Sequence, residues 1–279
     1  MRLFLLTAVV MVAFAANSVL NRMAVGEGGI GAVEFALIRV LAGAVVLLAL
    51  VAWRGRGWRG ASLAGVAGLS VYLFGFSLAY GQLDAGTGAL ILFGVVQVTM
   101  FGGALLAGEA VPRRRWAGAG LALAGLAVLV APAGASWMGF AAMAAAGLGW
   151  GVYSLAGRGA RDALAATAGN FALALIPAAG VALVAGVEFG TVTGRGVMLA
   201  VVSGAVTSGL GYALWYAVLP ALGAGRAAVA QLTVPLIAAA GGAVLMGEAV
   251  GWRFAVAAAL VLGGVAWASL PRAASRGDG

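Results

Sequence analysis

The chain has 279 residues, of which 64% are apolar, 9% are charged and 47 are glycine. A soluble domain carries roughly a quarter charged residues, so the composition excludes a water-exposed globule and points to an integral membrane protein. Cys, His and Lys are absent, and the net charge of +8 comes from 16 arginines in short clusters between apolar runs. This excludes thiolate metal sites, disulfides, cysteine and lysine covalent catalysis and P-loop chemistry, and makes a nucleic-acid face a poor reading of the charge.

A hydrocarbon layer about 30 Å thick needs about 20 apolar residues of helix. Runs of that kind occur at 3–25, 30–53, 61–81, 85–107, 114–131, 136–157, 163–186, 196–220, 225–246 and 251–270. They predict an all-α integral membrane protein with ten transmembrane helices and short connections. In the first run, Arg2 and the Ala13-Phe14-Ala15 triplet imitate a secretory signal, but the apolar stretch continues to Val25 and is long enough to span. Asn17 is its polar candidate, for substrate or for an interhelical hydrogen bond.

The second run carries Arg39, about nine residues in and so at a depth of about 14 Å by helical rise. A cation there must be paired or face water. Two roles fit it: capture of a substrate carboxylate, or a permanent bond to helix carbonyls that locks the second helix. Glu34, five residues away, lies on a different face near the outer interface. In the third run Tyr72, Phe76 and Tyr80 share one face. Gln97 in the fourth, with Phe93 and Phe101 a turn to either side, should face a cavity or another helix.

Glu109 and Glu248 follow the fourth and ninth runs and are expected to cap the helices after them. The sixth run holds Trp150, deeper than an interfacial anchor, beside a small-residue surface of Gly147 and Gly151. Asn170 in the seventh is a weaker polar candidate. Tyr212, Trp215 and Tyr216 share a face of the eighth. In the ninth, Pro235 cannot donate to the carbonyl of Gln231, which is left for a ligand, water, Thr233 or a neighbouring helix. Gly26, Gly28 and Gly31 match a dinucleotide fingerprint but lie in a loop with no preceding strand. Asp84, Asp162 and Asp278 fall in loops or the tail, so no facing carboxylate pair suggests an intramembrane enzyme.

Arginine placement predicts both termini inside. Arg2, Arg54, Arg56, Arg59, Arg113, Arg114, Arg115, Arg158, Arg161, Arg226, Arg272 and Arg276 then lie on the inner side, with Arg22, Arg195 and Arg253 outside. A shift of 139 residues aligns Gly102-Gly103-Ala104 with Gly241-Gly242-Ala243, and Gly108-Glu109-Ala110-Val111 with Gly247-Glu248-Ala249-Val250. The chain reads as two five-helix repeats, 1–134 and 135–279, whose odd span number forces opposite orientations in one membrane domain.

Arg39 in helix two, the Gly-Glu-Ala hairpins and Gly211-Tyr212-Ala213-Leu214-Trp215 resemble the drug/metabolite transporter superfamily, EamA type. Trp150, Tyr153 and Ser154, followed by Arg158 and Arg161, resemble more narrowly the YddG-type amino-acid exporters. Many relatives have a proline where this chain has Val96-Gln97, whereas Pro235 is kept. The resemblance implies a secondary transporter that exports amino acids and related metabolites across a bacterial inner membrane by alternating access. Efflux of lipophilic or quaternary cationic drugs, and a non-transporting membrane scaffold, remain as alternatives. The expected substrate-binding set is Asn17, Arg39, Tyr72, Gln97, Trp150, Tyr212, Trp215 and Gln231, with no catalytic residue, metal or cofactor. The expected partners are a small-molecule substrate and lipid, with no nucleic acid. The sequence does not fix the oligomeric state and allows a monomer.

Overall fold

The computed structural model describes residues 1–108, 113–130, 136–157, 160–187 and 189–269. Every regular element among them is helical. Helix α1 (Arg2–Asn21) continues into a π-helical turn, Arg22–Gly26, and is followed by α2 (Ala32–Trp53), α3 (Leu63–Tyr80), α4 (Ala85–Leu106) and α5 (Arg113–Val130). The chain goes on through α6 (Trp137–Gly157), α7 (Ala163–Ala185), α8 (Gly194–Val202), a π-helical stretch Ser203–Leu210, α9 (Gly211–Gln231), α10 (Thr233–Met246) and α11 (Trp252–Ser269). Among the described residues, 7 helical rods are long and apolar enough to cross a membrane, beside the shorter apolar stretches Trp116–Val128, Thr233–Met246 and Trp252–Trp267. Phe4, Val45, Leu63, Leu183, Val184 and Val244 stand exposed on the outside of the bundle. In water such a surface would aggregate, whereas a bilayer covers it.

Local chemistry sets the helix ends. Ser62, Asp162 and Thr193 each precede a helix and accept its free N–H groups from Gly65, Ala165 and Gly196, the ordinary N-cap arrangement. Gly186 and Gly247 close α7 and α10 at φ of 60° and 68°, where a side chain would be strained. The expected connection after residue 220 is displaced. Helix runs on to Gln231, breaks at Leu232 and restarts at Thr233. Pro235 explains the position: its ring cannot donate to Gln231, so one helix ends there, and the proline sits in the first turn of the next, where a missing N–H is tolerated.

Helix α2 packs on α7, α4 on α10 and α5 on α11, while α3 packs on α6 and α9 on α1. Glycine permits the closest approaches. A Cβ on Gly149 would lie 2.6 Å from the carbonyl oxygen of Gly68 and 2.7 Å from the nitrogen of Tyr72, and one on Gly68 would lie 2.7 Å from the carbonyl oxygen of Gly149. Gly147 and Gly151 similarly admit Val95 and Thr99 of α4. Gly149→Val should therefore lower stability by about 1–3 kcal/mol through overpacking, read as a lower thermal midpoint in detergent. Gly180→Ala, where a Cβ meets nothing within 4 Å, should not lower it. Equal midpoints for the two variants would contradict this packing.

Candidate functional site

The interior polar site begins with Arg39, which is 0% exposed. Helix α2 carries it into the bundle, and three hydroxyls receive it: Nε donates to Ser208 Oγ at 3.0 Å, and Nη2 donates to Tyr72 Oη at 2.8 Å and Tyr212 Oη at 3.5 Å. The guanidinium also lies over the rings of Phe76 and Tyr72, 4.9 and 5.1 Å from their centroids, contacts that strengthen when desolvated. Nη1 is buried without an acceptor. No carboxylate pairs with Arg39 among the described residues.

The π-helical stretch Ser203–Leu210 builds the neighbouring wall. Asn17 Oδ1 accepts from Ser203 Oγ at 2.8 Å, from Thr207 Oγ1, and from Ser208 Oγ at 3.4 Å. Widening a helix in this way occurs disproportionately at functional sites. Here it places Thr207 and Ser208, adjacent in sequence, on the same amide oxygen.

A cavity of about 20 Å³ lies beside these groups, lined among others by Phe14, Asn17, Tyr72, Trp150 and Tyr212. It has room for about one water molecule. Its walls are aromatic: Trp150 lies 4.9 Å from the ring centres of both Tyr72 and Tyr212, and Phe14 stands edge-on to Tyr212 and Trp215 at 5.7 Å.

The expected site residues therefore divide. Asn17, Tyr72, Trp150 and Tyr212 meet at the cavity, Arg39 stands behind the two tyrosines, and Trp215 backs Phe14. Gln97 and Gln231 are half-buried and do not line the cavity. At the break before α10, Thr233 Oγ1 donates to the carbonyl of Ala230, 2.7 Å away, rather than to Gln231. Asn170 accepts from the backbone of Ser62 at the start of α3, a structural role. Ser203, Thr207 and Ser208 are the site residues that sequence reasoning missed; their i, i+4, i+5 spacing in an apolar helix beside Gly204 and Gly209 was the available signal.

The two ends of the bundle differ. At the Arg22 end, Arg22 Nε pairs with Glu248 Oε1 at 2.9 Å, Nη1 donates to the carbonyl of Tyr80 at 3.1 Å, and Asp84 lies 3.7 Å away. Glu248 Oε2 accepts from the N–H of Ala85, the first residue of α4, at 2.8 Å. This corrects the expectation that Glu248 caps the helix following it: its hairpin lies against α1 and α4, and the carboxylate takes the free N–H that opens α4. Glu109 lies outside the described residues.

At the Arg54 end a cavity of about 400 Å³ opens, lined by Arg54, Arg56, Arg161, Asp162 and Leu164 and floored by Ala213, Leu214 and Ala217 of α9. Asp162 binds Arg56 there at 2.7 Å. The N–H of Ala165, aided by Arg56, holds the Asp162 carboxyl below the usual carboxylate range. A folded-state value below the unfolded one adds stability above the unfolded pKa, near 4, and that stability disappears as pH falls through the folded value. Asp162→Ala should thus lose about 1 kcal/mol at neutral pH and show less acid sensitivity than the parent in thermal unfolding below pH 4. Parallel pH profiles would contradict this role.

The described residues thus form an all-helical bundle with an apolar outside and a buried polar site within. Residues 137–270 match the EamA-like transporter family. Over 280 aligned residues, covering 97% of this chain and 96% of the relative, the chain is 46% identical to PA1977, an uncharacterized protein of Pseudomonas aeruginosa. A crystal structure at 23% sequence identity has the same fold, with a TM-score of 0.68 over 94% of this chain and 98% of that one. The second half of the chain therefore carries an EamA-like transporter domain. That match points to a membrane transporter of small molecules.

Proposed function

We propose that the protein is a secondary transporter exporting amino acids and related amphiphilic metabolites from the cytoplasm across a bacterial inner membrane by alternating access. Two inverted five-helix repeats, 1–134 and 135–279, would rock about the central cavity with both termini inside. The observation that carries this reading is the aromatic-walled cavity next to a fully buried Arg39 that pairs with no carboxylate among the described residues. A cation held at depth without a counter-charge is a functional site by default in a membrane. Support for the repeats comes from the packing: exchanging the halves maps α3 on α6 to α9 on α1, and α4 on α6 to α10 on α1, while α2 on α7 and α5 on α11 map to themselves. A cavity of about 20 Å³ excludes an amino acid, whereas the Arg54 end holds about 400 Å³. Loading therefore requires the inner walls to part while the Arg22 cluster keeps the opposite end tied.

Efflux of lipophilic cations is less well supported, because the cavity offers no carboxylate among the described residues and Arg39 repels positive charge. A scaffold would have no use for a desolvated guanidinium with an unsatisfied donor. Purified protein in vesicles should move labelled amino acids above the rate of empty vesicles; no flux across a broad panel would reject the proposal.

A further inference from the structure

A guanidinium only donates hydrogen bonds, so an oxygen that accepts from it must send its own proton elsewhere. Arg39 imposes this on two chains of groups. Along the first, Nε donates to Ser208 Oγ at 3.0 Å, and Ser208 donates onward to Asn17 Oδ1 at 3.4 Å. Ser203 and Thr207 converge on the same oxygen. The amide is thereby turned with its oxygen into the π-helical wall, leaving Nδ2 without an acceptor among the described residues, on a residue that lines the cavity. Along the second, Tyr72 Oη accepts Nη2 at 2.8 Å and the hydroxyl of Tyr212 at 3.3 Å. The Tyr72 proton has no acceptor among the described residues, and Tyr72 also lines the cavity.

We infer that the cavity is a carboxylate-recognition site, in which Tyr72 Oη–H and Asn17 Nδ2–H contact the ligand and Arg39 is the positioning residue that fixes both as donors. This rests on the proposed transport site and goes further, by naming the ligand group and its donors. Among the described residues the site holds two uncommitted donors and no carboxylate, and Nη1 of Arg39 is itself buried without an acceptor. Its one uncompensated positive charge matches a monoanionic head, because a dianion would leave a net negative charge in a low-dielectric interior. The aromatic walls suit an apolar side chain attached to that head. Arg39 does not line the cavity; its charge acts through the tyrosine and the amide.

The test compares leucine, phenylalanine and methionine with their carboxamides and with the corresponding decarboxylated amines. Two readouts are used: the shift in thermal midpoint of the detergent-solubilised protein, and flux into vesicles. The free acids alone should shift the midpoint and compete for flux. Tyr72→Phe keeps the ring and should raise KM for the acids by about 10- to 100-fold, the worth of a hydrogen bond to a charged group, with kcat within about twofold of the parent. Asn17→Asp should abolish acid binding by placing like charge against the ligand. Arg39→Lys should recover part of the acid preference that Arg39→Gln loses. Amides or amines binding as well as acids, an unchanged acid KM in Tyr72→Phe, or no binding of any panel member would each overturn the inference. Acid binding that needs Tyr72 but produces no flux would refute transport and leave the carboxylate site standing. Acid flux that ignores Tyr72 would do the reverse.

Discussion

Glu248→Gln is expected to open the Arg22 end of the bundle. The Glu248 carboxylate ties three elements together, holding Arg22 after α1, the N–H of Ala85 at the start of α4, and its own hairpin after α10. Its side chain is 9% exposed and that of Arg22 24%, so solvent screens the pair only in part. Removing one partner from a fully buried pair costs about 3–5 kcal/mol. Partial exposure and the hydrogen bonds an amide retains reduce this to about 2 kcal/mol, enough to move a two-state equilibrium about 30-fold. Because the chain has no cysteine, labels can be placed without background. Spin labels at Val25 and Ala249 should report a wider-spaced population in the variant, and a distance distribution unchanged from the parent would contradict the clasp.

Arg39→Met is expected to abolish transport while leaving the fold intact. Methionine fills the stem volume between Tyr72 and Phe76 without a charge. Apolar replacement of buried ionic groups is often neutral or stabilising by about 1–4 kcal/mol. Ser208 and Tyr72 would then be free to reverse their hydroxyls, and the site would lose both its field and its donor polarity. Flux should fall more than about 100-fold, in keeping with the loss of charge-assisted recognition, while the thermal midpoint holds or rises. If Arg39 were only a lock on α2, the midpoint would drop and flux would track the folded fraction. Measuring both in the same preparation separates the two roles that the sequence left open.

The helical rods were legible because lipid demands long uninterrupted apolar runs, and those leave a direct trace in composition. Arg39 was legible for the same reason: a lone charge at depth stands out against such a background. Its partners did not. Ser203, Thr207 and Ser208 are ordinary residues in membrane helices, and only the π-helical widening turns them toward Asn17. Glu248 was assigned to the wrong helix because a cap is a local signal, whereas its contacts with Arg22 and Ala85 span 226 and 163 residues. Gln97 looked central by its position along α4, but axial depth says nothing of the direction a side chain faces, and Leu92 and Phe93 of that helix line the cavity instead.

Alternating access requires the central cavity to be reachable from each side of the membrane in turn. Ser18 lines that cavity and is 1% exposed, so a single cysteine there, in oriented vesicles, reports the event directly. A membrane-impermeant thiol reagent should modify Ser18→Cys from either side, with Glu248→Gln raising the rate from the Arg22 side and lowering it from the Arg54 side. Modification from neither side, or from one side alone whatever the state of Glu248, would contradict alternating access.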